Sequence, residues 1–86
     1  MVKQSIELNL KIGLHARPVS SVVNFVKSLT SEVFIEYAGN RANCSDAISL
    51  LALGIKGNAQ IDVCLEGDNK EEELQKFIEF LKNLKD

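Results

Sequence analysis

The chain has no tryptophan, one proline, one histidine, two cysteines and no long apolar run in its 86 residues. Each scarcity closes a class of function. Nothing is apolar for long enough to span a bilayer, and the first residues, Met1 to Glu7, lack the apolar core of a signal peptide. A net charge of -2, with no stretch that interleaves basic and aromatic residues, argues against nucleic acid and against anionic membrane as partners. Cys44 and Cys64 lie in strand-like segments without metal-ligand spacing, and one histidine does not complete a zinc set with them, so neither metal nor other cofactor is expected. They read as reduced thiols filling core space in a cytoplasmic protein. There is no Gly-rich phosphate loop with lysine and no Ser/His/Asp set, which sets aside an autonomous enzyme.

What is present is one domain over residues 1–86, without linker, repeat or compositional break. Ile6, Leu8 and Leu10 alternate with polar residues from Ser5 to Leu10, the period of a half-buried strand. After Gly13 the period changes. Val19, Val22, Val23 and Val26 fall on one helical face, with Ser20, Ser21, Asn24 and Lys27 facing away. Val33, Ile35 and Tyr37 alternate in a second strand, and Gly39-Asn40 predicts a tight turn into a short third strand around Arg41 to Cys44. Asp46 offers a cap for a helix of about two turns over Ala47 to Leu53, ended by Gly54 in the left-handed conformation. That helix has more apolar residues than one buried face needs, which predicts exposure among Ala47, Ile48 and Leu51 and a docking surface there. Ile61, Val63 and Leu65 alternate in a fourth strand. Asn69 and Glu72 resemble a capping box ahead of a helical stripe of Leu74, Phe77, Ile78, Leu81 and Leu84. The expected fold is α+β, in the order β-α-β-β-α-β-α: a four-stranded, mainly antiparallel sheet covered on one face by helices.

His15 stands where the strand period gives way to the helix period, as the N-cap of the first helix. Pro18 is then the third helical residue, whose N–H would have no intrahelical acceptor to lose. A neutral imidazole there is a candidate nucleophile. A phosphoryl group on it would face the free N–H groups of Ala16 and Arg17, the positive end of the helix and the Arg17 guanidinium. A P–N bond is weak enough to be passed on. Such a protein receives and donates phosphoryl groups, with a partner bringing the donor.

The hexapeptide Gly13-Leu14-His15-Ala16-Arg17-Pro18, its spacing to Leu53-Gly54-Ile55, and the element order over essentially the whole chain resemble the HPr family, the histidine phosphocarriers of bacterial phosphoenolpyruvate-dependent sugar phosphotransferase systems. The resemblance implies an open-faced β-sandwich, phosphorylation of His15 on Nδ1 by enzyme I, and transfer to the IIA domains of sugar permeases. It places Arg17 beside His15 in the active centre and gives Ala16, Ser20, Ala47, Ile48 and Leu51 to partner docking, with Asn24 and Lys27 on the rim. A monomer that pairs transiently is expected. Asn24 stands where many relatives have lysine, which thins the positive rim and bears on encounter rates. The position of the family's regulatory serine is Asp46 here, with Ser45 one residue earlier. As a cap, Asp46 is about as good as serine. As a phosphoserine mimic it would carry about one charge instead of nearly two, and would turn the chain toward a carbon-catabolite regulator.

Overall fold

Alternation along four short segments builds the sheet. A computed structural model of the chain describes residues 1–85. It contains β1 (Val2–Glu7), α1 (Ala16–Val26), β2 (Glu32–Tyr37), β3 (Asn40–Asn43), α2 (Ala47–Ala52), β4 (Gln60–Glu66) and α3 (Lys70–Lys82), in the expected order. The strands pair antiparallel throughout, in the spatial order β1-β4-β2-β3. Register sets the two faces. Ile6 opposes Ile61, Val63 opposes Ile35, and Leu65 opposes Val33, so these side chains share one face and are buried with Val19, Val22, Leu50, Phe77, Ile78 and Leu81 of the helices. Among the described residues, no helix is long and apolar enough to cross a membrane.

The opposite face is open and polar. Lys3 and Arg41 both reach Glu36, at 2.9 and 2.6 Å, and the Arg41 guanidinium lies 5.0 Å from the centre of the Phe34 ring. Ser5 donates to the Asp62 carboxylate in the same row. Cys64 shares this face, opposed by Lys3 and Phe34. Both cysteines are buried and reduced, as expected, but only Cys44 fills the core; Cys64 is buried beneath the side chains of the open face. Burial pushes both thiols up, which disfavours the thiolate.

Besides α2 ending at Ala52, with Leu53 as its C-cap, three strand and turn boundaries differ from the sequence reading. The first regular strand starts at Val2 and ends at Glu7, yet the alternation persists beyond it, because the N–H groups of Leu8 and Leu10 donate to Ala59 and Gly57 carbonyls at 3.0 and 2.9 Å. The β2–β3 turn centres on Ala38 and Gly39, with φ of 52° and 83°. Two consecutive left-handed residues give the twist a two-residue hairpin needs, so the turn lies one residue earlier than Gly39-Asn40 suggests, and Ala38 accepts an uncommon conformation. The third strand accordingly begins at Asn40 and ends at Asn43, ahead of Cys44.

The α3 capping box does not form. Asn69 is the N-cap, but its amide donates to the Thr30 hydroxyl at 3.3 Å instead of capping the helix. The carboxylate that matters is Glu73. It is buried and accepts from the N–H groups of Thr30 and Ser31, each at 2.8 Å, and from the Thr30 hydroxyl, tying α3 to the loop before β2. Burial by itself would raise its pKa. The hydrogen bonds from Ser31 and Thr30 outweigh it and hold the carboxyl at about 2.

Candidate functional site

The loop carrying the histidine is held by close backbone approach. Gly13 has φ of 133°, and a Cβ there would sit 2.4 Å from the Ile55 carbonyl oxygen, so only glycine lets the chain lie this close. Gly13 bridges to Lys56, and the N–H of the buried Leu14 donates to the Ile55 carbonyl at 3.0 Å. Gly54, with φ of 65°, turns the chain out of α2 to present that carbonyl. The spacing between the hexapeptide and Leu53-Gly54-Ile55 therefore has a mechanical basis: the second segment is the seat of the first.

His15 is the N-cap of α1, with extended backbone and a side chain that does not cap the helix. Its carbonyl accepts from Val19 N–H at 2.9 Å and its N–H donates to the Gly13 carbonyl at 3.0 Å. The residue is half-buried, with Nε2 shielded from solvent. Pro18 has no N–H. Of the donors at this helix end, those of Ala16 and Arg17 have no backbone or side-chain acceptor among the described residues. The first turn holds no acidic residue, and the exposed Arg17 side chain forms no ion pair with a described residue. Two N–H groups and the positive helix end are thus available for an anion attached to the ring, with Arg17 exposed at the second helical position.

Beside this loop lies the surface expected for docking. Helix α2 packs against α1. Ser20, Asn24 and Lys27 are exposed on α1; Ala47 is half-buried on α2, while Ile48 and Leu51 are 80% and 43% exposed. Ile12, 71% exposed, is a further candidate that the sequence reading missed. It sits in a loop with no period to flag it.

Asp46 caps α2. One carboxylate oxygen accepts from Ser49 N–H at 3.2 Å and the other from the Ser49 hydroxyl at 2.8 Å. These bonds hold its carboxyl below the usual range. Ser45 turns away, donating both its N–H and its hydroxyl to the Asn43 side-chain oxygen at 2.9 and 2.8 Å. The end of α2 that meets the histidine loop is the other one. A six-residue helix separates the two ends by about 9 Å.

Residues 2–83 match the family model described as the PTS HPr component phosphorylation site. The HPr-like protein Crh of Halalkalibacterium halodurans is 35% identical over 81 residues, covering 94% of this chain and 96% of that protein. The crystal structure of the phosphocarrier protein HPr from Bacillus anthracis superposes with a TM-score of 0.86 at 28% identity, covering 93% of this chain and 95% of that one. A crystal structure of Crh from Bacillus subtilis, described as a catabolite repression protein with a swapped-domain dimer, has a TM-score of 0.74 at 31% identity over 94% of this chain and 93% of its own.

Proposed function

The chain belongs to the HPr family, and from that membership we propose that it is a cytoplasmic phosphoryl carrier, taking the group from phospho-enzyme I on His15 and passing it to the IIA domains of sugar permeases. Proteins of this family are phosphocarriers rather than catalysts. The observation that carries the reading is the start of α1: a nucleophile at the N-cap, with the Ala16 and Arg17 N–H groups available beside it. Nδ1 is favoured over Nε2 as the attacking atom because Nε2 is shielded. In the step, the Nδ1 lone pair forms a bond to phosphorus while the bond from phosphorus to the donor atom breaks, its electron pair returning to the donor. The Ala16 and Arg17 N–H groups and the Arg17 guanidinium then hold the transferred oxygens until an acceptor attacks.

Incubation with phosphoenolpyruvate, magnesium and enzyme I tests this by phosphorus NMR. An acid-labile phosphohistidine signal is expected in the parent, absent in His15→Ala and discharged by a IIA domain. A signal that persists in His15→Ala overturns it.

A second reading draws on the likeness to Crh. Here the chain is a regulatory binding module in which Asp46 replaces or mimics a phosphorylated serine and a carbon-catabolite regulator is the partner. It is weakened by the engagement of both Asp46 oxygens with Ser49, which keeps the charge within the helix end. It requires Asp46→Ser and Asp46→Asn to lose affinity for the regulator; equal affinity of parent and variants removes it.

A further inference from the structure

The pairing of β1 with β4 does not stop where β1 does. Its register, in which Ile6 faces Ile61 and Glu7 faces Gln60, is continued by the N–H groups of Leu8 and Leu10, which donate to the Ala59 and Gly57 carbonyls at 3.0 and 2.9 Å. The next pair breaks it. Gly13 bridges to Lys56, and the Leu14 N–H donates to the Ile55 carbonyl, so three steps along the histidine segment, from Leu10 to Gly13, answer one step on the other, from Gly57 to Lys56. Lys11 and Ile12 are the two extra residues, a bulge set directly ahead of Gly13-Leu14-His15. Bulges re-aim the chain that follows them. A glycine flanks this one on each segment. Opposite Gly13, on the other segment, a Cβ at Gly57 would meet the Leu10 carbonyl oxygen at 2.2 Å and the Lys11 carbonyl carbon at 3.3 Å. These neighbours are backbone, so no side chain can swing aside to make room. Gly57 itself is held in a turn closed by the Ala59 N–H, which donates to the Lys56 carbonyl at 3.1 Å. A side chain at position 57 must therefore displace the Leu10–Lys11 peptide or carry its own turn away. The second course moves Lys56, the bridge partner of Gly13, so either displacement reaches the residues just before His15.

We propose that Gly57 is a positioning residue for phosphoryl transfer: by letting the Leu10–Lys11 peptide lie against the turn of residues 56–59, it sets where the bulge begins and so how His15 is placed against the Ala16 and Arg17 N–H groups. It acts through Leu10 and Lys56, and it rests on the reading of the chain as a phosphoryl carrier. Transfer to a ring nitrogen is sensitive to such placement, because a reacting atom displaced by about 1 Å can cost as much as a hundredfold in rate.

Single-turnover transfer from phospho-enzyme I, followed by rapid quench over a range of concentrations of this protein, tests it. Gly57→Ala is expected to lower the saturating rate roughly tenfold, with the half-saturating concentration within about twofold because the exposed side chains are unchanged. Gly39→Ala is the comparison for a merely structural loss. A Cβ there meets nothing within 4 Å, but a φ of 83° strains any side chain, so the melting temperature falls while the saturating rate stays within about twofold of the parent's. On phosphorylation the Ala16 and Arg17 amide protons should also move less far downfield in Gly57→Ala than in the parent. A parent-like saturating rate in Gly57→Ala overturns the proposal, and so does an equal loss of rate in Gly39→Ala. If Gly57→Ala does not fold, the chain with the Leu10 amide replaced by an ester decides, since it loses the N–H donated to Gly57 and gains no side-chain atom. Its saturating rate is expected to drop by about threefold, and a rate equal to the parent's overturns the proposal. Failure of the parent itself to accept a phosphoryl group overturns the carrier reading together with this inference, and is distinguished by the parent and Gly39→Ala failing alike.

Discussion

Helices α1 and α2 pack against each other and begin in opposite ways. At α2 the anion is built in: Asp46 spends both carboxylate oxygens on Ser49 and closes the helix end. At α1 the N-cap is a histidine that leaves the end open, no acid occupies the first turn, and a proline at the third position removes one donor while two remain. The same backbone physics gives a finished structural cap in one case and a helix end with two unclaimed donors in the other. The difference is whether the N-cap side chain is itself the anion or a group to which an anion can be attached. Glu73 repeats the first solution inside α3, where a buried carboxylate consumes the donors of the loop before β2.

Converting one kind of helix start into the other produces the largest effect. His15→Asp gives α1 an anion of its own; labelling by enzyme I disappears completely, while the added cap is expected to stabilise the fold by about 1 kcal/mol in denaturant unfolding. Loss of labelling without a gain in stability would show that the α1 donors are not available as described.

Glu73→Gln comes next. An amide cannot accept from all the donors the carboxylate serves, so unfolding should become easier by about 1 to 3 kcal/mol, with the labelling rate of His15 unchanged. The pH dependence has a definite sign. A carboxyl held at about 2 against an ordinary 4.5 stabilises the fold fully above the ordinary value and loses that contribution as pH falls from there toward 2. The variant's stability should fall less over that window than the parent's.

Arg17→Lys keeps the charge but removes the fork that matches phosphate oxygens, and the rate of transfer to a IIA domain should drop by up to about tenfold with the fold intact. The smallest effect is expected from Asp46. Asp46→Ala should lower the melting temperature slightly, Asp46→Ser should recover most of the loss, and labelling of His15 should change by less than about twofold in both. A large change in labelling with little change in melting would make Asp46 a regulator of the site instead of a cap.

Much of this was legible in the residues because it depends on local periodicity. The valine face of α1, the alternation of β2 and β4 and the stripe of α3 all repeat at a spacing that a single segment displays, and the N-cap position of His15 follows from where the period changes. What was not legible depends on contacts distant in sequence. Glu73 looks like any acid in a helix first turn until Thr30 and Ser31, more than forty residues earlier, are brought to it. Cys64 reads as core filler, but register puts it under Lys3 and Phe34 on the open face. The turn at Ala38 was missed because alanine rarely adopts positive φ, and Ile12 because exposure of a loop residue has no sequence period.

The central claim is that the Ala16 and Arg17 N–H groups receive the phosphoryl group on His15, and amide chemical shifts before and after phosphorylation by enzyme I test it most directly. Large downfield shifts of the Ala16 and Arg17 amide protons, with small changes at the α2 and α3 helix starts, are the predicted result. Phosphorylation that leaves both amides where they were would contradict the account.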